Sequence, residues 1–89
     1  MNKLPVSLVV ITLNEESNIQ RCLQSVPWAA EVLVVDSFST DQTVALASQL
    51  GAKVLQKKWQ GYGEQKKWAA ESASQDWILS LDADEALTP

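Results

Sequence analysis

Histidine is absent from this 89-residue chain, and cysteine occurs once. One thiol cannot form an intramolecular disulfide, so a disulfide-stapled secreted scaffold is excluded. One cysteine and no histidine also exclude a structural zinc site of the usual kind. Ser-His-Asp and Cys-His catalysis within the chain fall for the same reason. Basic side chains are outnumbered, 7 against 11 acidic, and the net charge of −4 argues against nonspecific nucleic-acid binding. Long hydrophobic runs are missing too. The longest, Leu8–Ile11 continued through Thr12 to Leu13, is far short of the roughly 20 residues that span a bilayer. No signal peptide is visible, so a cytoplasmic protein is expected.

What remains is the mix of a globular domain: 46% hydrophobic and 20% charged residues. A chain this short forms at most one small domain, which buries only about 60–65% of its unfolded surface. Leu8–Leu13 is a continuous, β-branched apolar run, as a strand buried on both faces requires. Ser17 with Gln20 fits a capping box that opens a helix. Ile19, Cys22, Leu23 and Val26 then mark one helical face, and Pro27 ends it. Val32–Val35 is a second strand, closed by Asp36. Ser39 with Gln42 offers a second capping box, which leaves Asp36 free for a ligand. Thr43, Leu46, Ala47 and Leu50 follow at helical spacing, and Gly51 stands where a left-handed C-cap belongs. Lys53–Gln56 reads as a short strand, Lys57–Gly63 as an irregular loop, Glu64–Ser74 as a helix and Trp77–Leu81 as a fourth strand. The order β-α-β-α-β-α-β implies an α/β, Rossmann-like three-layer sandwich around a mostly parallel four-stranded sheet.

In such a sheet ligands bind beyond the carboxyl ends of the strands, where strand order reverses. Those ends carry Asn14, Glu15 and Glu16; then Asp36, Ser37, Ser39 and Asp41; then Asp82, Asp84 and Glu85. Most of the acidic residues therefore share one rim. Asp82 and Asp84 form a D-x-D pair at a strand exit. That pair can be a solvated acidic turn, or it can hold Mg²⁺ or Mn²⁺ against phosphate oxygens. Its position beyond a buried strand favours the cation. Asp36 can form an Asx-turn, or it can accept hydrogen bonds from a nucleobase or ribose. Lys57, Lys58, Lys66 and Lys67 flank Gly61-Tyr62-Gly63, which leads into a helix N-terminus suited to anions, although the loop matches no phosphate-binding fingerprint. Cys22 and Trp68 sit on inner helical stripes and read as core. Trp28 and Trp77 flank element ends and are expected to pack there. Trp59 and Tyr62 border the site or simply line a loop.

Three segments taken together carry a resemblance: Leu8-Val9-Val10-Ile11-Thr12-Leu13-Asn14-Glu15-Glu16, Val34-Val35-Asp36-Ser37-Phe38-Ser39-Thr40-Asp41 and Leu81-Asp82-Ala83-Asp84-Glu85. In order and spacing they resemble the signatures of inverting, family 2 type nucleotide-sugar glycosyltransferases with the GT-A fold. Trp59-Gln60-Gly61-Tyr62-Gly63 followed by Gln65-Lys66 resembles a loop of the bacterial lipopolysaccharide core glucosyltransferases. The resemblance implies a UDP-sugar donor, glucose transfer with inversion, and a glycan or lipid-linked acceptor. It implies that Thr12, Asn14 and Glu15 line the nucleotide pocket and that Asp36 binds uracil or ribose. Gln65 and Lys66 would lie near the nucleotide, Asp82 would contact ribose or sugar, and Asp84 would hold Mg²⁺ or Mn²⁺. The family's catalytic base belongs to a later segment, so no catalytic residue is expected here. Phe38 stands where relatives often have glycine and is expected to crowd its turn.

The chain stops at Leu87-Thr88-Pro89, five residues past Asp84, with nothing to cover the last strand. It reads as the donor-binding front part of a larger enzyme, inactive alone and peripheral to the inner membrane when whole. The open edge also offers a second copy a place to pair, giving a homodimer. A nucleotidyltransferase would carry a glycine-rich basic loop where Asn14-Glu15-Glu16 stands. A receiver-type signalling module would need an acidic phosphoacceptor where Gln56-Lys57-Lys58 stands. An isolated fold module without a ligand is separated only by a binding measurement.

Overall fold

The computed structural model describes residues 3–86. Leu87-Thr88-Pro89 lie outside that range. Seven elements alternate along the chain: β1 (Leu4–Thr12), α1 (Ile19–Gln24), β2 (Ala29–Asp36), α2 (Thr43–Gln49), β3 (Lys53–Gln56), α3 (Tyr62–Ser72) and β4 (Trp77–Asp82). The four strands form one parallel sheet in the order β3-β2-β1-β4. Chain order thus runs outward from β1 to β3 and then jumps back across the sheet to β4. The reversal falls between β2 and β4, on either side of β1.

The central strands bury both faces, which is why they read as unbroken apolar runs. Leu8 and Val10 of β1 and Val34 of β2 pack with Ile19, Cys22 and Leu23 of α1 and Ala47 of α2. Val9 of β1 and Leu33 and Val35 of β2 face the other way, against Ala69 and Trp68 of α3. Each fully buried Val or Leu contributes about 1.5–3 kcal/mol from water exclusion. Two helices on one face and one on the other give the expected three layers.

Several local expectations change. β1 starts four residues early, at Leu4, and its pairing with β2 is irregular between Leu4 and Ser7, around Pro5, which has no N–H to donate. Buried Ser7 interrupts the apolar pattern because its hydroxyl donates to Glu31 Oε1 at 2.7 Å. Neither capping box forms. At α1 the carbonyl of Glu15 takes the Asn18 and Ile19 N–H groups, leaving Ser17 outside the helix. At α2 the carboxylate of Asp41 takes the Thr43 N–H at 2.9 Å, and Ser39 is engaged elsewhere. Gly51 does close α2 as expected. Its φ is 90°, its N–H donates to Ser48 O, and Ala52 N–H donates to Ala47 O, the two bonds of a Schellman cap. α3 begins at Tyr62 rather than Glu64, because Gly61 with φ 105° turns the chain into the helix. Trp28 packs on the core, but Trp77 is 69% exposed on the edge strand β4.

Candidate functional site

A cleft of about 410 Å³ opens at the carboxyl ends of β1 and β4. It lies beside the strand-order reversal, where an open α/β sheet leaves a crevice because successive crossovers depart to opposite faces. Thr12, Leu13 and Glu15 form one wall, Asp82, Ala83 and Asp84 another, and Trp59 and Tyr62 a third.

The Asp82–Glu85 segment is a closed turn. Glu85 N–H donates to Asp82 O at 2.9 Å, and Asp82 N–H donates to Glu85 Oε1 at 2.7 Å. Arg21 of α1 holds the far end, donating to Asp84 O at 3.0 Å. The Cys22 thiol donates to Asp82 O at 3.7 Å. Its burial, reinforced by the charge of Glu85, pushes the Cys22 pKa up to about 11, so it is a neutral core thiol as expected. This backbone clamp points the Asp84 side chain outward. Among the described residues the Asp84 carboxylate has no hydrogen-bond partner. The Asp82 carboxylate is engaged by α3: Tyr62 OH donates to its Oδ1, and Lys66 Nζ stands 3.6 Å from the same oxygen. Tyr62 is held above its ordinary pKa chiefly by that hydrogen bond. Lys66 is raised chiefly by its contact with Tyr62 and also by the charge of Asp82.

Of the residues singled out from sequence, Thr12, Glu15, Asp82 and Asp84 line the cleft, and Lys66 stands at its rim on Asp82. The other three do not line it. Asp36 is fully buried, and its carboxylate accepts from Thr12 Oγ1 at 2.6 Å, Ser39 N at 2.8 Å and Ser39 Oγ at 2.5 Å. The Asp36 carboxylate is thus engaged within the fold rather than left free by the capping residues, because Ser39 bonds Asp36 and caps no helix. Gln65 is also fully buried and donates from Nε2 to Ser37 Oγ at 2.9 Å and to Lys57 O at 3.4 Å. It ties α3 to the end of β2 and does not face the cleft. Asn14, at φ 54°, accepts from Thr40 N–H at 2.8 Å and joins the loops after β1 and β2. These three support the cleft from below and beside.

Sequence reasoning left Trp59 and Tyr62 open, and both are wall residues. Their rings lie 6.4 Å apart at 58°. The i, i+4 spacing of Tyr62 and Lys66 could have shown that both face one side of α3 once the helix start was known. Glu85 was visible as a strand-end acid but not as a brace of the D-x-D turn, and Arg21 carried no signal beyond its charge.

The donor set fits a hard divalent cation. Asp82 and Asp84 offer oxygens from one turn, and no group of three or more His, Cys, Asp or Glu that could hold a metal occurs among the described residues. Such a pair suits a cation whose remaining ligands are phosphate oxygens and water.

Comparisons with known proteins agree with this fold. A protein of Rickettsia felis named as an uncharacterized glycosyltransferase is 52% identical over 84 residues, covering 93% of this chain and 30% of its own length. The lipopolysaccharide core biosynthesis glycosyltransferase LpsC of Rhizobium meliloti is 43% identical over 90 residues, covering 96% of this chain and 33% of its own. Glucosyl-3-phosphoglycerate synthase of Mycobacterium tuberculosis, solved with Mn²⁺, UDP and phosphoglyceric acid, superposes with a TM-score of 0.77 at 28% identity, over 88% of this chain and 32% of that one. The chain thus spans about a third of the length of the relatives it matches. The family model for glycosyl transferase family 2 matches residues 7–89, and the chain belongs to that family.

Proposed function

We propose that this chain is the donor-binding part of an inverting glycosyltransferase that takes a UDP-sugar, with glucose as the sugar and a lipopolysaccharide core or related glycan as the acceptor. The observation that carries this reading is the pair Asp82 and Asp84, held by a closed turn on the wall of a cleft at the strand-order reversal. Mn²⁺ with UDP in the mycobacterial synthase and the name of the Rhizobium relative support the donor and the acceptor class.

Asp84, whose carboxylate faces outward, and Asp82 would hold Mg²⁺ or Mn²⁺. A divalent cation bound there supplies Lewis-acid stabilisation of the charge on a leaving nucleoside diphosphate. The chain's own groups do the rest of the binding. Lys66 and the N-terminal turn of α3 offer positive potential to the diphosphate. Trp59, Tyr62 and Leu13 give apolar walls that exclude water from one side of the donor. Thr12, Glu15 and the aromatic pair shape the pocket over the buried Asp36.

Inverting transfer needs a base that deprotonates the acceptor hydroxyl. We assign that base and the acceptor surface to the rest of the longer enzyme, so this chain binds donor without transferring it. A nucleotide-sugar substrate puts the reaction in the cytoplasm, with the whole enzyme at the inner membrane. Among the described residues no helix is long and apolar enough to cross a membrane. The nucleotide is tested by calorimetric titration with UDP and GDP in Mn²⁺. Tighter binding of UDP is expected, and equal or reversed affinity contradicts the UDP assignment.

A further inference from the structure

Asp82 is held in two different ways. Its backbone is pinned on both sides, by Glu85 at the N–H and by Glu85 and Cys22 at the carbonyl. Among the described residues its carboxylate is held only by two side chains of α3, Tyr62 and Lys66. These are one helical turn apart and meet each other, with Lys66 Nζ 4.6 Å from the centroid of the Tyr62 ring. Hydroxyl, ammonium and carboxylate thus close a triangle at the mouth of the cleft. All three members are partly exposed: Tyr62 is 48% exposed, and the Lys66 and Asp82 side chains are 35% and 38% exposed. The triangle is therefore built on a rigid turn and a rigid helix but closed by movable side-chain ends.

A cation and this triangle compete. A divalent ion on Asp82 Oδ1 competes with a hydroxyl proton donor for the same oxygen and approaches an ammonium of like charge. A diphosphate reverses that balance, because its oxygens offer Lys66 a more highly charged partner than one carboxylate. We infer that Tyr62 and Lys66 form a latch on Asp82 that weakens cation binding until a nucleoside diphosphate draws Lys66 away, so that cation and nucleotide bind with positive coupling. The latch rests on the donor-site reading above and adds to it a binding order carried by named side chains. Tyr62 and Lys66 act here as positioning residues. By linkage, the factor by which nucleotide tightens the cation is the factor by which the cation tightens nucleotide.

The test is Mn²⁺ binding to the chain, read from the electron paramagnetic resonance signal of free hydrated Mn²⁺, with and without UDP. Wild type, Tyr62→Phe and Lys66→Gln are compared, each checked for folding by circular dichroism. Removing either partner is expected to tighten Mn²⁺ binding without UDP by about three- to tenfold, the worth of one hydrogen bond or exposed ion pair. The further tightening caused by UDP is expected to shrink in the same variant. Unchanged or weaker Mn²⁺ binding in every folded variant overturns the latch. Wild type that takes up no Mn²⁺ at millimolar concentration, with or without UDP, overturns the donor-site reading and the latch with it. Each substitution opens the latch by itself, so the result stands on either variant if the other fails to fold.

Discussion

Thr12 at the end of β1 sits directly opposite Asp36 at the end of β2, and its hydroxyl donates to the buried Asp36 carboxylate at 2.6 Å. Two strand ends that each looked like a ligand contact satisfy one another within the fold. Ser39 completes the set from the loop beyond, and Ser37 N–H closes it by donating to Thr12 O at 2.9 Å. A fully buried carboxylate depends on these donors, because an unmet charge inside the protein is costly. Thr12→Val is expected to cost about 1.5–3 kcal/mol in urea unfolding, and Thr12→Ser much less because it keeps the hydroxyl. A Thr12→Val chain as stable as wild type would contradict the assignment of Asp36 as a structural carboxylate.

Phe38 occupies a backbone conformation that its side chain disfavours. Its φ is 59°, and its ring is 60% exposed, so little packing is gained in return. Left-handed backbone costs a residue with a Cβ about 1–2 kcal/mol, and glycine gives back part of that in unfolded-state entropy. Phe38→Gly is therefore expected to raise stability by about 0.5–1 kcal/mol, seen as a later urea midpoint at unchanged slope. A lower midpoint would show that Phe38 makes a stabilising contact through its ring.

Glu31 ties the opposite end of the sheet together. Its Oε1 accepts from Ser74 N–H at 2.8 Å and from Ser7 Oγ at 2.7 Å. The backbone bond from Ser74 leads in holding its carboxyl below the ordinary value. A carboxyl with a depressed folded pKa stabilises the fold above its unfolded pKa, and that stability disappears as pH falls through the folded value. Stability is expected to drop below about pH 4.5. Glu31→Gln lacks the titrating charge, so its stability deficit against wild type is expected to be largest at pH 7 and to shrink as pH falls, giving a flatter acid limb. An identical acid profile in the variant would remove Glu31 from the account.

The β4 edge carries Trp77, 69% exposed, and Ile78, 44% exposed, beside strand backbone that no other strand among the described residues pairs with. Such an edge is a template for another strand. Sedimentation of this chain over a concentration series is expected to show a dimer that grows with concentration and recedes in Trp77→Lys. A chain that stays monomeric throughout would rule out pairing with a second copy.

The layered fold was legible because its evidence is periodic: Leu8–Leu13 and Val32–Val35 could be buried on both faces only in a parallel sheet. Gly51 was legible because a single backbone conformation explains it. The capping boxes were not, since Ser17 and Ser39 have the right spacing but backbone carbonyls and Asp36 compete for the same donors and acceptors. In the site, Asp82 and Asp84 were legible from their strand-exit position. The burial of Asp36 and Gln65 was not legible, because sequence places a residue at a strand end or on a helix face but not its side chain's depth. Tyr62 stayed ambiguous because its helix starts two residues before the expected start at Glu64.

Asp84 offers a binding site to a cation and a nucleoside diphosphate in the proposed function. The most direct test is calorimetric titration of the chain with UDP, with and without Mn²⁺, beside Asp84→Ala. Asp84 is exposed and makes no side-chain hydrogen bond among the described residues, so the variant is expected to fold like wild type. Binding of UDP that requires Mn²⁺ and falls at least about tenfold in Asp84→Ala, the loss of one charged contact, is the expected result. UDP binding that ignores both Mn²⁺ and the substitution, or no binding by a folded chain, would contradict it.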